Sequence, residues 1–261
     1  MQLWTPEHVR TLLPALAFMI LFSALLGRLL RNKSDKIRML PLQIIAVILV
    51  LIEIGKQVIS LIRGYDLYHL PFHYCSIFIF MLPLAAFYRG KKQAELRGVT
   101  AALCAAVFLL MMIYPNLIYS AFDVTNFFGD YMCFHTVFFH NLVMLSFLFF
   151  LSLNLHTSEN TKAEARSVCI FITVFSAVAA VMSQILKTNY ANMYSCNVPP
   201  LENVRIAAQE ILGYVPTQIL YDLAVSVLQI LFTLMTYGLY RLLRFLFIGL
   251  QKKLAEKKSG T

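Results

Sequence analysis

Two histidines and a cysteine fall within seven residues of "YHLPFHYCSIFIFMLPLAAF" (Tyr68–Phe87), where a long apolar run begins. These residue types together suggest nucleophilic chemistry. A thiol attacks as the thiolate, and an imidazole is the usual acceptor of its proton. His73 stands two residues from Cys75 and points to another face of a regular helix. A pair across helices is geometrically easier, Cys75 with His140 or His135 of "CFHTVFFHNL". Those two histidines are five apart, about 140° around a helix, so they do not both face one point squarely. The plain alternative is that Cys75 packs as a small hydrophobe. His69, just ahead of a proline, reads as part of a loop. Glu53 and Lys56, spaced i, i+3 on one face, form either a structural ion pair or the floor of a working site.

The elements that must position these groups follow from composition. Of 261 residues 59% are hydrophobic and only 13% charged, with a mean hydropathy of +0.71, where a soluble domain carries roughly a quarter charged residues. Apolar runs close to the roughly 20 residues of a spanning helix recur along the chain. They predict an all-α, polytopic bundle of seven transmembrane helices at about 11–30, 40–62, 70–88, 98–117, 131–153, 167–187 and 215–240, forming one domain over 1–261. The first run lacks a basic leader and cleavage site and reads as a retained helix. No repeat is visible.

The net charge of +9 would suggest nucleic acid in a soluble protein, but the basic residues sit in short loops, which excludes that class. Arg28, Arg31, Lys33, Lys36 and Arg38 fill the first loop, and Arg89, Lys91, Lys92 and Arg97 the third. Lys162 and Arg166 lie in the fifth, with Arg241, Arg244, Lys252, Lys253, Lys257 and Lys258 in the tail. The alternate loops offer only Arg10, Arg63, Lys187 and Arg205. The positive-inside rule therefore places the N-terminus outside and the C-terminus in the cytoplasm of a multi-pass cell-membrane protein.

With that topology, polar residues gather at one level. His73 and Cys75 open the third span, His135 and His140 lie in the outer half of the fifth, and Glu53 and Lys56 in that of the second. Gln184, Asn189 and Tyr190 close the sixth span, while Gln218, Tyr221 and Asp222 open the seventh. The inner halves read as nearly free of such groups. Charges in a membrane are costly and normally face inward with a purpose, so a polar chamber open to the outside is expected. Residues about 201–213, with Leu201, Val204, Ala208, Ile211 and Leu212 at helical spacing and Gly213 as a C-terminal cap, predict an amphipathic lid-like helix over it. The five cysteines have no CxxC spacing, so neither a metal nor another cofactor is expected. Cys133 and Cys196 are either a disulfide or two free thiols.

Four stretches resemble the YwaF-like integral membrane proteins: "LPFHYC", "FFHNL", "KTNY" and "LGYVP", in that order from the second span onward. The eukaryotic relatives of those proteins are the transmembrane protein 164 family, cysteine-dependent acyltransferases that remodel ether phospholipids. The resemblance implies transfer of an acyl chain through a cysteine thioester to a lysophospholipid, with membrane lipids as partners. The eukaryotic pattern resembles Pro-Cys-His. Laid on Pro71-Phe72-His73, it matches His73 and puts Phe72 where those members carry the nucleophile.

Three functions stay open. A phospholipid acyltransferase would use Cys75 as nucleophile, His140 or His135 as base, and His73 to orient substrate or stabilise charge. A transporter or solute-binding protein would need polar groups continuing to the cytoplasmic side. A seven-helix sensor would titrate its histidines.

Overall fold

The computed structural model describes residues 3–156 and 160–259, with side chains as far as residue 249. The tail residues Lys252, Lys253, Lys257 and Lys258 have side chains outside the described set. Among the described residues there is no strand. The helices are α1 (Pro6–Leu30), α2 (Asp35–Ile62), α3 (Phe78–Phe87), α4 (Gln93–Ile113), α5 (Ala121–Thr125), α6 (Tyr131–Ser152), α7 (Thr161–Leu186), α8 (Pro199–Leu212) and α9 (Tyr214–Ser259). Six of them, α1, α2, α4, α6, α7 and α9 to Gly249, are long and apolar enough to cross a membrane.

Several helices start earlier than the apolar runs, because polar residues cap them outside the greasy stretch. Thr5 accepts from the His8 amide while the His8 ring returns to Thr5, closing a capping box. Asn160 accepts from the Ala163 amide at 3.2 Å ahead of α7, while α6, capped by Asp130 at 2.6 Å from the Met132 amide, starts at the expected residue.

The third expected span differs most. In place of one helix over 70–88, the chain is helical only from Tyr74, as a 3₁₀ turn (Tyr74–Ile77) leading into α3. Pro71 lacks an N–H and biases its predecessor away from helix; Leu70 is extended at φ −63°, ψ 148°. His73 is extended too, at φ −78°, ψ 153°. The apolar helix Tyr74–Phe87 rises roughly 21–23 Å, less than the roughly 30 Å hydrocarbon thickness. The segment before it therefore folds down into the bundle and walls a recess.

The bundle centres on α4, which packs against α3, α6, α7 and α9. Its run from Gly98 to Val107 is buried and dominated by small side chains, which lets neighbouring helices approach closely. A Cβ on Gly98 would stand 2.8 Å from the Glu164 carboxyl carbon. That contact belongs to a feature hidden from the sequence, which reads this end of the helices as nearly free of polar groups. Glu164 is completely buried there. Its carboxylate pairs with His156 Nε2 at 2.8 Å, accepts from the Tyr237 hydroxyl, and lies 3.8 Å from Arg241. Arg97 donates to the Leu155 carbonyl at 3.1 Å and to Asp35 at 3.4 Å. Loop ends folded beneath the helices bury these groups, although they lie outside the longest apolar runs. The arginines of the first, third and last basic segments thus meet at one end of the bundle. The chamber residues lie at the other, where Arg63 and Asp130 join α2 to α6 at 2.9 Å.

Candidate functional site: a chamber lined by histidines

A cavity of about 450 Å³ opens at that second end. Glu53 and Lys56 of α2, His73, Tyr74 and Cys75 ahead of α3, and His135, Thr136 and His140 of α6 line it. Asn189, Asn192 and Asn197 come from the loop after α7, and Gln229 from α9. The floor is apolar, with Val107 and Leu110 of α4 and Phe232 of α9.

Glu53 is the hub of the α2 side. It takes the Lys56 ammonium at 2.7 Å, the Gln57 amide at 2.8 Å and His135 Nε2 at 2.9 Å. The carboxylate and ammonium offset one another, so the chamber holds a buried ion pair and no lone charge. Because a carboxylate only accepts, the His135 proton sits on Nε2, leaving Nδ1 as the basic nitrogen of the neutral ring. Gln57 continues outward, donating to the His69 carbonyl at 2.8 Å and accepting from Tyr65 at 2.6 Å. His69 is fastened to α2 as well, through Nδ1 and the Ser60 hydroxyl at 2.6 Å.

The same logic sets the other two histidines. His73 Nε2 donates to the Tyr68 carbonyl at 2.9 Å, so Nδ1 keeps its lone pair. Burial lowers the His73 pKa from the usual histidine value and holds the ring neutral at neutral pH. His140 Nδ1 donates to the Thr136 carbonyl at 2.6 Å. Its Nε2 is buried and has no hydrogen-bond partner among the described residues. An unpartnered buried acceptor is costly in a folded protein, and this one belongs to a residue of the cavity lining. Cys75 lines the cavity with these rings but makes no hydrogen bond to any of them among the described residues.

Tyr190 lies behind the lining. It is fully buried, its hydroxyl donates to the Leu67 carbonyl at 2.5 Å, and its ring meets the edge of His73 at 5.3 Å between centroids. The loop carrying it is strained, with positive φ at Lys187 (52°), Ala191 (50°) and Asn192 (62°). Asn189 Oδ1 ties that loop by accepting from the Tyr194 and Ser195 amides at 3.1 and 3.2 Å. This loop, not the amphipathic helix, roofs the chamber, for no residue of α8 lines it. The helix itself spans 199–212, close to the expected 201–213, and Gly213 ends it at φ 82°.

Gln184, Gln218, Tyr221 and Asp222 also stand outside the lining. Gln184 accepts from Tyr214 at 2.5 Å; Gln218 bridges the Met193 carbonyl and Asp222 at 2.9 Å each; Tyr221 donates to the Asn192 carbonyl at 2.7 Å. They hold the roof loop to α9. Tyr68, Ser76, Thr136, Asn192, Asn197 and Gln229 line the cavity without having stood out in the sequence. All except Thr136 and Gln229, which lie within helices, are loop or turn residues, where polarity draws no notice. Cys133 and Cys196 are free thiols, as are the other three cysteines. Among the described residues, no three His, Cys, Asp or Glu side chains are placed to hold a metal ion.

These features define a multi-pass membrane protein with a histidine-lined chamber at one end of its helices. The TMEM164 family model matches residues 3–240, and the chain belongs to that family. No curated protein matches it, and no solved structure does.

Proposed function

We propose that this protein is an integral-membrane lipid-modifying enzyme, a cysteine- and histidine-dependent phospholipid acyltransferase. The observation that carries the reading is the set of histidine lone pairs around Cys75. His73, His135 and His140 each spend one N–H on a protein acceptor, leaving the second nitrogen able to take a proton from a thiol or a lipid hydroxyl. In the first half-reaction the Cys75 thiol gives its proton to such a nitrogen and Sγ attacks the ester carbonyl of a donor phospholipid. The Sγ–acyl bond forms, the ester C–O bond breaks, and the departing lysophospholipid oxygen takes the proton back. In the second half an acceptor lysophospholipid hydroxyl loses its proton to the histidine and attacks the thioester, restoring the thiol. Glu53 holds His135, and Lys56 stabilises the developing oxyanion.

The apolar floor at Val107, Leu110 and Phe232 supports this reading over a transporter, since the lining stops there. Tyr74–Phe87 carries the chain from the chamber to the basic end and serves as a seventh, short span. The arginine-rich end faces the cytoplasm of the cell membrane, the N-terminus and chamber face outside, and the chain acts as one domain. The motifs "LPFHYC", "FFHNL" and "KTNY" contribute lining or supporting residues, which supports grouping the chain with the YwaF-like proteins.

The test is acyl exchange between phospholipid and lysophospholipid by the purified protein in nanodiscs. A hydroxylamine-sensitive acyl adduct should appear on Cys75 and vanish in Cys75→Ser. Full turnover by Cys75→Ser would overturn the thioester route.

A further inference from the structure

A second cavity, of about 150 Å³, lies at the opposite end of the bundle between the end of α1, the start of α2 and the end of α6. Arg31, Arg38, Ser152 and Asn154 supply its polar walls. Two buried side-chain donors there have no hydrogen-bond partner among the described residues, Arg38 Nε and the Ser152 hydroxyl. Ser152 is 8% exposed, so water does not account for its hydroxyl as it would on an open surface.

The guanidinium of Arg38 is anchored by its outer nitrogens, Nη1 to the Leu153 carbonyl at 3.3 Å and Nη2 to Asp35 at 3.4 Å. That leaves Nε without a partner among the described residues, in a side chain that lines the cavity. Arg31 has no hydrogen bond or ion pair among the described residues. Arg244 donates to the Asn154 side chain at 3.1 Å on the cavity wall. Among the described residues Asp35 is the one carboxylate bonded to this group, and Arg97 shares it at 3.4 Å. The carbonyl ends of α1 and α6 add only partial negative charge, so the balance is strongly positive.

We infer that this cavity is a socket for a phosphate group, held by Arg31, Arg38 Nε and the Ser152 hydroxyl. Its volume is several times the roughly 30 Å³ a water occupies in the liquid, enough for a tetrahedral phosphate. Planar guanidinium groups suit phosphate oxygens better than a point charge does. The socket is built by close approach: a Cβ on Gly27 would stand 2.8 Å from the Ser152 carbonyl oxygen, so only glycine lets α1 close on α6 here. Apolar side chains stand exposed on α1 just above, at Leu21, Leu25 and Leu29. They would lie along the acyl chains of a lipid whose headgroup entered the socket, while a free phosphate would use the socket alone.

The test extracts the purified full-length protein from nanodiscs of phosphatidylcholine with phosphatidic acid and counts retained lipids by native mass spectrometry. The expected result is retention of phosphatidic acid over phosphatidylcholine, lowered at least five-fold by Arg31→Gln and by Ser152→Ala. Arg89→Gln, an exposed arginine at the same end outside the cavity, should leave retention unchanged. Displacement by inorganic phosphate would identify the phosphate group itself as the ligand; retention against it would identify the lipid. Because Arg31 has no partner to lose, its substitution leaves folding intact, which the melting curve checks. Equal retention by wild type and Arg31→Gln, an equal loss in Arg89→Gln, or no binding of either probe would overturn the socket.

Discussion

Two networks at opposite ends of the bundle, around Glu164 and around Glu53, bury polar groups to opposite effect. Around Glu164 the groups converge on one carboxylate: His156, Tyr237 and Arg241 all meet it, and Tyr240 backs His156 at 3.3 Å. At the chamber end Glu53 gathers Lys56, Gln57 and His135 in the same manner, yet a cavity of about 450 Å³ remains beside them and His140 Nε2 has no partner among the described residues. Polar residues in a helix bundle are therefore not one kind of evidence. A closed network holds helices together, while a network with lone pairs left over beside a cavity has acceptors to offer a ligand.

Removing the hub of the closed network should produce the largest effect. Glu164→Ala strips the partner from buried His156 and Tyr237 and should cost about 3–5 kcal/mol of stability. Thermal unfolding in detergent measures it, and a melting curve within a degree of wild type would show that this network is not structural. At the open end the effect should fall on turnover. His73→Ala removes a proton acceptor worth roughly 10²–10⁴ in rate, and its unfolding temperature should stay near that of wild type. If both substitutions unfold the protein alike, the contrast between the ends is wrong.

Much of this contrast was legible in the sequence and part was not. Glu53, His135 and His140 stand out because each interrupts an apolar run, and such interruptions are costly enough to carry information. Their partners could not be read: that Glu53 joins both Lys56 and His135 depends on how α2 meets α6. Glu164 and His156 were hidden because they sit beside a polar loop, where hydropathy assigns them to solvent. The short third span was missed for a related reason. The apolar run over 70–88 continues through Leu70–Pro71, and the proline, a weak local signal, argues only against helix at Leu70 before it. The amphipathic helix was legible from its spacing, but its place beside the chamber rather than over it depends on the strained turn at Ala191 and Asn192.

Intermediate effects should come from the residues that hold the chamber without lining it. Tyr190→Phe keeps the ring against His73 and Phe72 but loses the hydroxyl bond to the Leu67 carbonyl. It should cost about 1 kcal/mol and lower turnover several-fold through His73, whose Nε2 is held by Tyr68 in the same loop. The pH profile of turnover carries the same information. Burial lowers the His73 pKa, so the ring stays unprotonated and basic as pH falls through the usual histidine value of 6.5. Activity should hold there and fail only at lower pH; a midpoint at or above 6.5 would show that His73 is not the proton acceptor.

The smallest effect belongs to the clasp of α8. Glu202 takes Arg205 in two contacts, 2.9 and 2.5 Å, and accepts from the Cys196 amide at 2.8 Å. Arg205 reaches on to Gln218 at 3.3 Å and stands 5.7 Å from the Tyr221 ring. The clasp thus joins α8 to the roof loop and to α9. Arg205's hydrogen bond, the largest contribution, lowers the Glu202 pKa. A depressed carboxylate pKa stabilises above the ordinary carboxylate range and is lost as pH falls through the lower folded value. Near neutral pH, Glu202→Gln should speed amide exchange in residues 194–205 with little change in melting temperature. In the wild type the same exchange should stay slow until the pH drops below the ordinary carboxylate range. If exchange at Cys196 is unchanged by the substitution, the roof is held by its bonds to α7 and α9 without Glu202, and α8 takes no part in closing the chamber.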